Sequence, residues 1–163
     1  MGMAMFMRVE GATGESADGQ HKGWTDIQMF SWAAAQPAAM ASGGGGNAGK
    51  ANFSDLVVTA FMDKATPAIL KYCASGKHVP KVEISSCKTG GDQIEFSRLT
   101  LEEVVVTLAQ IAGPDVEDEP NRLMMRYGFQ AARVKTQYWE QTPDGGKGAE
   151  VTMGWDIKKN QEM

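Results

Sequence analysis

Apolar and polar residues alternate along most of this chain, in runs broken by Gly, Pro and Asn/Asp clusters, and that period of two is the mark of half-buried strands. The runs predict strands over Ala4 to Val9, Thr25 to Ala35, Phe53 to Met62, Val79 to Lys88, Gln93 to Gln110, Arg122 to Trp139 and Glu150 to Ile157. Two of them change frame. In the second, Ile27 and Met29 share one face while Phe30 and Trp32 share the other, which implies a bulge or a strand covered on both sides. In the sixth, Leu123, Met125, Tyr127, Phe129 and Ala131 alternate with Arg122, Met124, Arg126, Gly128 and Gln130, and the apolar set then passes to Ala132, Val134 and Tyr138. A bulge near Ala131 would produce that shift, and barrel strands bend in this way. One helix is signalled: Thr66 suits its cap, Pro67 its first position and Gly76 a left-handed stop, with Ile69, Leu70 and Cys73 on one apolar face. The pattern predicts a mainly β fold, an antiparallel β-barrel of two packed sheets with one short α-helix, in which residues 1–163 form a single domain.

A chain of 163 residues can bury roughly 70% of its unfolded surface, so it needs no metal or disulfide to fold. Its net charge of −4 comes from 20 acidic and 16 basic residues scattered without long runs of one sign, so no basic stripe offers itself to nucleic acid. The apolar stretch from Met1 to Met7 is cut by Arg8 and Glu10, short of a signal-peptide core, and Phe6 stands where a myristoylation motif needs Ser or Thr. No run approaches the roughly 20 apolar residues of a membrane span. These features predict a chain made in the cytoplasm without membrane insertion.

The search for chemistry returns little. Gly44 to Lys50 matches the opening of a phosphate-binding P-loop, but Ala51 stands where a Ser or Thr hydroxyl must reach magnesium. Gly44, Gly46 and Gly49 also fit a dinucleotide pattern, which a run of glycines satisfies by chance; a long flexible loop accounts for them equally well. His21 and His78 have no metal-ligand spacing, and Cys73 and Cys87 have neither a CxxC motif nor an evident His partner, so free thiols are expected. The acidic Asp115, Glu117, Asp118 and Glu119 lack the spacing of a calcium loop. No Ser-His-Asp signature or paired carboxylates can be placed, so no catalytic residue, cofactor or metal is predicted. A ligand-binding or catalytic small barrel remains the alternative, to be recognised by a closed apolar pocket with converging polar groups.

Seven short motifs, in one order, do carry a resemblance. They are Gly14-Glu15-Ser16 with His21-Lys22; Asp26-Ile27 leading to Phe30-Ser31-Trp32; the Gly43 to Lys50 loop; and Asp63-Lys64-Ala65-Thr66-Pro67. Ala74-Ser75-Gly76-Lys77-His78, Leu99-Thr100-Leu101-Glu102-Glu103-Val104 and Gly154-Trp155-Asp156-Ile157 complete the order. Together they resemble the Hcp (hemolysin-coregulated protein) family, from near Met3 to near Asn160, although Phe30 stands where many relatives have Trp and Cys87 has no typical counterpart. The resemblance implies a structural protein and not an enzyme. It implies a subunit of the type VI secretion system inner tube, forming homo-hexameric rings that stack inside a contractile sheath under a VgrG spike. It also implies export without a signal peptide and carriage of secreted effectors in the ring lumen. Ser31 occupies the family's aromatic-Ser-Trp motif, and strand alternation turns it away from Phe30 and Trp32, towards the lumen if those rings are in the core. Gly43, Gly44, Gly45, Gly46, Asn47 and Lys50 are the candidate ring-stacking loop.

Overall fold

The computed structural model describes residues 2–38, 49–113 and 121–163. Along the chain these form β1 (Met3–Val9), β2 (Thr25–Ser31), β3 (Ala34–Ala35), β4 (Asn52–Phe53), β5 (Leu56–Phe61), α1 (Thr66–Ser75), β6 (Val79–Lys88), β7 (Ile94–Ala112), β8 (Met124–Gln141), β9 (Lys147–Asp156) and β10 (Gln161–Glu162). Antiparallel pairing runs β8-β5-β2-β1-β6-β7, and β7 pairs back onto β8, so these strands close into a barrel. The two layers expected from the sequence are therefore one sheet closed on itself, with β9 and β10 continuing it beyond β8 and β3–β4 forming a separate ribbon.

The barrel is filled by its own side chains. Leu56, Val58 and Ala60 of β5, Met125, Tyr127 and Phe129 of β8, Val82 and Ile84 of β6 and Val104 of β7 are all fully buried. These are the inward positions of alternating strands, and each buried branched or aromatic side chain contributes about 1.5–3 kcal/mol of hydrophobic stabilisation. α1 packs on β7 and sends Ile69 into the same cluster.

Two predicted strands are divided. Ala33 donates its N–H to Ser54 Oγ at 2.8 Å and accepts from the Ser54 N–H at 2.8 Å, and these bonds end β2 and separate β4 from β5. The frame change in β2 is a bulge between Ile27 and Met29 that leaves Met29 59% exposed while Phe30 and Trp32 pack against the core. The bulge expected near Ala131 is not in β8. Pairing of β8 with β7 keeps register from Tyr138 to Phe129, and the irregularity falls on β7, between Val106 and Leu108. What changes near Ala131 is the neighbour: β8 pairs with β5 up to Phe129 and with β9 from Arg133, and across this exchange Glu103 of β7 adopts φ 52°.

Thr66 does not cap the helix. It is the first helical residue, with Ala65 at the cap position, and Pro67 follows second instead of first. Thr66 is fully buried because its hydroxyl shares a 2.7 Å hydrogen bond with the Tyr127 hydroxyl, whose phenol burial pushes above its usual range. Asp63 instead steadies the approach to the helix, its Oδ1 accepting from the Ala65 N–H at 3.0 Å. Gly76 ends the helix as predicted, with φ 70° and its N–H donated to the Tyr72 carbonyl. A Cβ there meets only open space, so Gly76→Ala is expected to lose about 1 kcal/mol from backbone strain alone, read as a lower urea midpoint with unchanged slope.

Candidate functional site

The sheet face that carries Ser31 is set by β2. Past the bulge, Phe30 and Trp32 turn inward and Ser31 between them is exposed. Register extends the face across four strands: Ser31 pairs with Val57 of β5, Val57 with Gly128 of β8, and Gly128 with Leu108 of β7. The next row is Met29, Thr59, Arg126 and Gln110, followed by Phe61, Met124 and Ala112. Directly paired residues share a face, so Arg126 is the one charged side chain among these residues. Gly128 is required by the β7 irregularity: a Cβ on it would lie 2.8 Å from Thr107 Oγ1 and 3.0 Å from Leu108 Cβ. Asp55 pins the border of the face, accepting from Thr107 Oγ1 at 2.7 Å and from the Gln130 amide. Lys50 is exposed on the approach to β4, whereas Gly43, Gly44, Gly45, Gly46 and Asn47, like the acidic Asp115, Glu117, Asp118 and Glu119, lie outside the described residues.

A second constellation is buried under the loop from Glu10 to Trp24. His21, 2% exposed, stacks on Phe6 at 4.2 Å and meets Trp24 edge-on at 4.9 Å. Its Nδ1 lies 2.7 Å from Asp18 Oδ2 and its Nε2 lies 2.9 Å from Ser85 Oγ. The Ser85 hydroxyl in turn lies 2.6 Å from Glu95 Oε2, to which Arg98 Nε donates at 2.8 Å while Lys147 reaches Oε1 at 3.3 Å. Arg98 also bonds Glu83 at 3.2 Å. The hydrogen bond from His21, helped by Gln93 and Gln20, holds the Asp18 carboxyl below its ordinary range against its burial. Burial pushes the Glu95 carboxyl up, but the bonds from Ser85 and Arg98 and the charges of Arg98 and Lys147 outweigh it and bring it down.

Asp18, His21 and Ser85 thus have the connectivity of a hydrolytic triad that sequence spacing did not reveal. The accessibility is wrong for attack. Ser85 is fully buried and its hydroxyl is engaged by Glu95, whereas a nucleophile must lie within reach of substrate. Cys87 is also fully buried, and burial pushes its thiol up, which suppresses the reactive thiolate. Cys73 and Cys87 are both free. Among the described residues no group of three or more His, Cys, Asp or Glu is placed to hold a metal ion. A cleft of about 240 Å³ beside Asp63 is lined mainly by polar and charged groups, including Glu15, Asp26 and Arg122, unlike the apolar pocket that the ligand-binding alternative calls for.

The family described as "Type VI secretion system effector, Hcp" matches residues 6–138. Protein hcp1 of Pseudomonas aeruginosa is 38% identical over 162 residues, 98% of this chain and 98% of that one. A solved structure described as a type six secretion system protein aligns with a TM-score of 0.91 at 28% identity, covering 99% of this chain and 100% of the other. Hcp1 from Salmonella typhimurium aligns with a TM-score of 0.82 at 27% identity over the whole of both chains.

Proposed function

The chain belongs to the Hcp family of type VI secretion proteins, and from that premise we propose that it is the subunit of the secretion system's inner tube, acting as a structural protein and not an enzyme. Its copies close into hexameric rings that stack within the contractile sheath and below the VgrG spike, are expelled with the tube, and carry effectors in the lumen. Made in the cytoplasm, the protein leaves by the machine itself.

The near full-length likeness to hcp1 carries this reading. The physics of the chain fits it. A barrel packed solid with side chains keeps its shape without a ligand. Repeated heterologous contacts close into a ring when their rotation divides a full turn, and closure covers strand edges that would otherwise recruit other chains. The face centred on Ser31 is the proposed lumen wall. It offers a cargo hydrogen bonds from Ser31 and Thr59 and apolar contact from Met29 and Leu108, with the charge of Arg126 among them, Asp55 at the border and Arg122 over the Phe61 ring. Lys50 and the loop from Gly43 before it are proposed to bear on the next ring.

Light scattering of the purified protein at several concentrations, with electron micrographs of the same sample, tests the assembly. A mass near six chains and ring-shaped particles with a central hole are expected. A monomer at every concentration, with no rings, would overturn the tube-subunit reading.

A further inference from the structure

Counting donors and acceptors around His21 leads to a specific protonation state. The Asp18 carboxylate can only accept, and it accepts from the Gln20 N–H and the Gln93 amide as well as from His21, so His21 Nδ1 carries a hydrogen. On the other side, Ser85 has a single hydroxyl hydrogen to share between His21 Nε2 and Glu95 Oε2. Glu95 already receives Arg98 and Lys147 as a carboxylate, and at 2.6 Å its oxygen and the Ser85 oxygen need a hydrogen between them. Ser85 therefore donates to Glu95, and its lone pair is left to accept from His21 Nε2. Both ring nitrogens are donors.

We infer that His21 is a buried imidazolium clasp, held between Asp18 and the Ser85–Glu95 pair, and that removing its proton releases the Glu10 to Trp24 loop from β6 and β7 while the barrel stays closed. The charged groups around the ring bear this out. Its own loop supplies Asp18, β6 supplies Glu83 and the neutral Cys87 thiol beyond Ser85, and β7 supplies Glu95 with Arg98, whose charge is shared by Glu95, Glu83 and the Trp24 face. Lys147 of β9 reaches only Glu95, and β1 contributes the uncharged Phe6 ring. Without the second ring proton, either Nε2 faces the Ser85 oxygen lone pair to lone pair, or Ser85 turns to His21 and leaves its oxygen against Glu95. Each alternative loses a buried hydrogen bond.

Apart from the ring, the loop is held by its own turns, in which Gly14 N–H bonds Gly23 O, Ser16 N–H bonds Trp24 O and Gly23 N–H bonds Ser16 O, and by contacts near its ends and at Asp18, where Glu10 N–H bonds Lys81 O, Glu15 N–H bonds Asp63 Oδ2 and the Gln93 amide bonds Asp18. The barrel ladders do not run through the ring. The clasp is thus a local device: the stabilisation that the charged ring contributes is present while it keeps its second proton and is lost with that proton.

The chain has two histidines, so ¹⁵N-imidazole spectra of the native assembly give two assignable sets of signals. At neutral pH, His21 is expected to show both nitrogens protonated; one protonated and one bare nitrogen would overturn the inference. Raising the pH should lower exchange protection in peptides covering residues 10–24 by about tenfold or more as the imidazolium signal disappears, with β5 and β6 unchanged. Protection that ignores that signal would sink the release. In Glu95→Gln the amide can donate to Ser85, which frees the hydroxyl for His21, so that variant is expected to carry a single ring proton at neutral pH. Retention of both would refute the acceptor argument, and if the variant does not fold, the wild-type spectra and exchange still decide.

Discussion

Arg98→Ala is expected to lower stability by about 3–5 kcal/mol at neutral pH, because it strips the shared cation from two nearly buried carboxylates. The Glu83 and Glu95 side chains are 10% and 12% exposed, and Arg98 at 29% is itself sheltered enough for screening by water to be limited. Their remaining cations are farther off: Lys147 is 3.3 Å from Glu95 and the half-exposed Arg8 is 3.7 Å from Glu83. The pH dependence has a definite sign. A carboxyl lowered in the folded state, as Glu95 is, contributes stability that is present above its unfolded value and lost as pH falls through the folded one. Arg98 is part of what lowers it, so the gap between wild type and Arg98→Ala should be widest near neutrality and narrow towards about pH 3. Urea unfolding of both proteins across that range, at one fixed protein concentration because assembly adds stability, measures the gap. A gap independent of pH would mean that Arg98 acts through packing against Trp24 and not through the carboxylates.

Phe129→Ala is expected to cost a similar 3–5 kcal/mol by a different route. Phe129 is fully buried at the closing seam of the barrel, where β8 pairs on one side with Leu56 of β5 and on the other with Val106 of β7. Its ring centroid lies 6.3 Å from that of Tyr127, so truncation opens a void beside a residue whose hydroxyl anchors Thr66 and the start of α1. Backbone pairing from both sides prevents the seam from collapsing into that void, which keeps the cavity penalty near its full size. Leu108→Ala, at a partly exposed position on the outer face of the same strand pair, is expected to change stability by no more than about 0.5 kcal/mol. Denaturant midpoints with a constant slope would establish the contrast. Similar losses at both sites would show that the Leu108 face is covered in the assembled protein, which ties the measurement to the proposed ring.

Much of this was legible from the chain alone wherever the governing physics is local. β6 spans Val79–Lys88 as predicted, the frame change between Ile27 and Phe30 is a bulge, and Gly76 stops the helix, because strand preference, crowding and the left-handed backbone each act over a few neighbouring residues. Ser31 is exposed between two inward aromatics for the same reason. The family, too, was legible, from an order of short motifs. Tertiary structure decided what local pattern cannot carry. The frame of β8 shifts where it trades β5 for β9, which depends on three strands at once, and Thr66 gives up the cap because a phenol 61 positions away needs its hydroxyl. The Asp18–His21–Ser85–Glu95 relay was invisible to any search by spacing. His21 and Ser85 stand 64 residues apart and meet because β1 pairs with β6, setting Phe6 opposite Ser85 with the His21 ring stacked on it. A hydrogen bond senses ångströms and a sequence motif senses positions, and only the closing of the barrel converts one into the other.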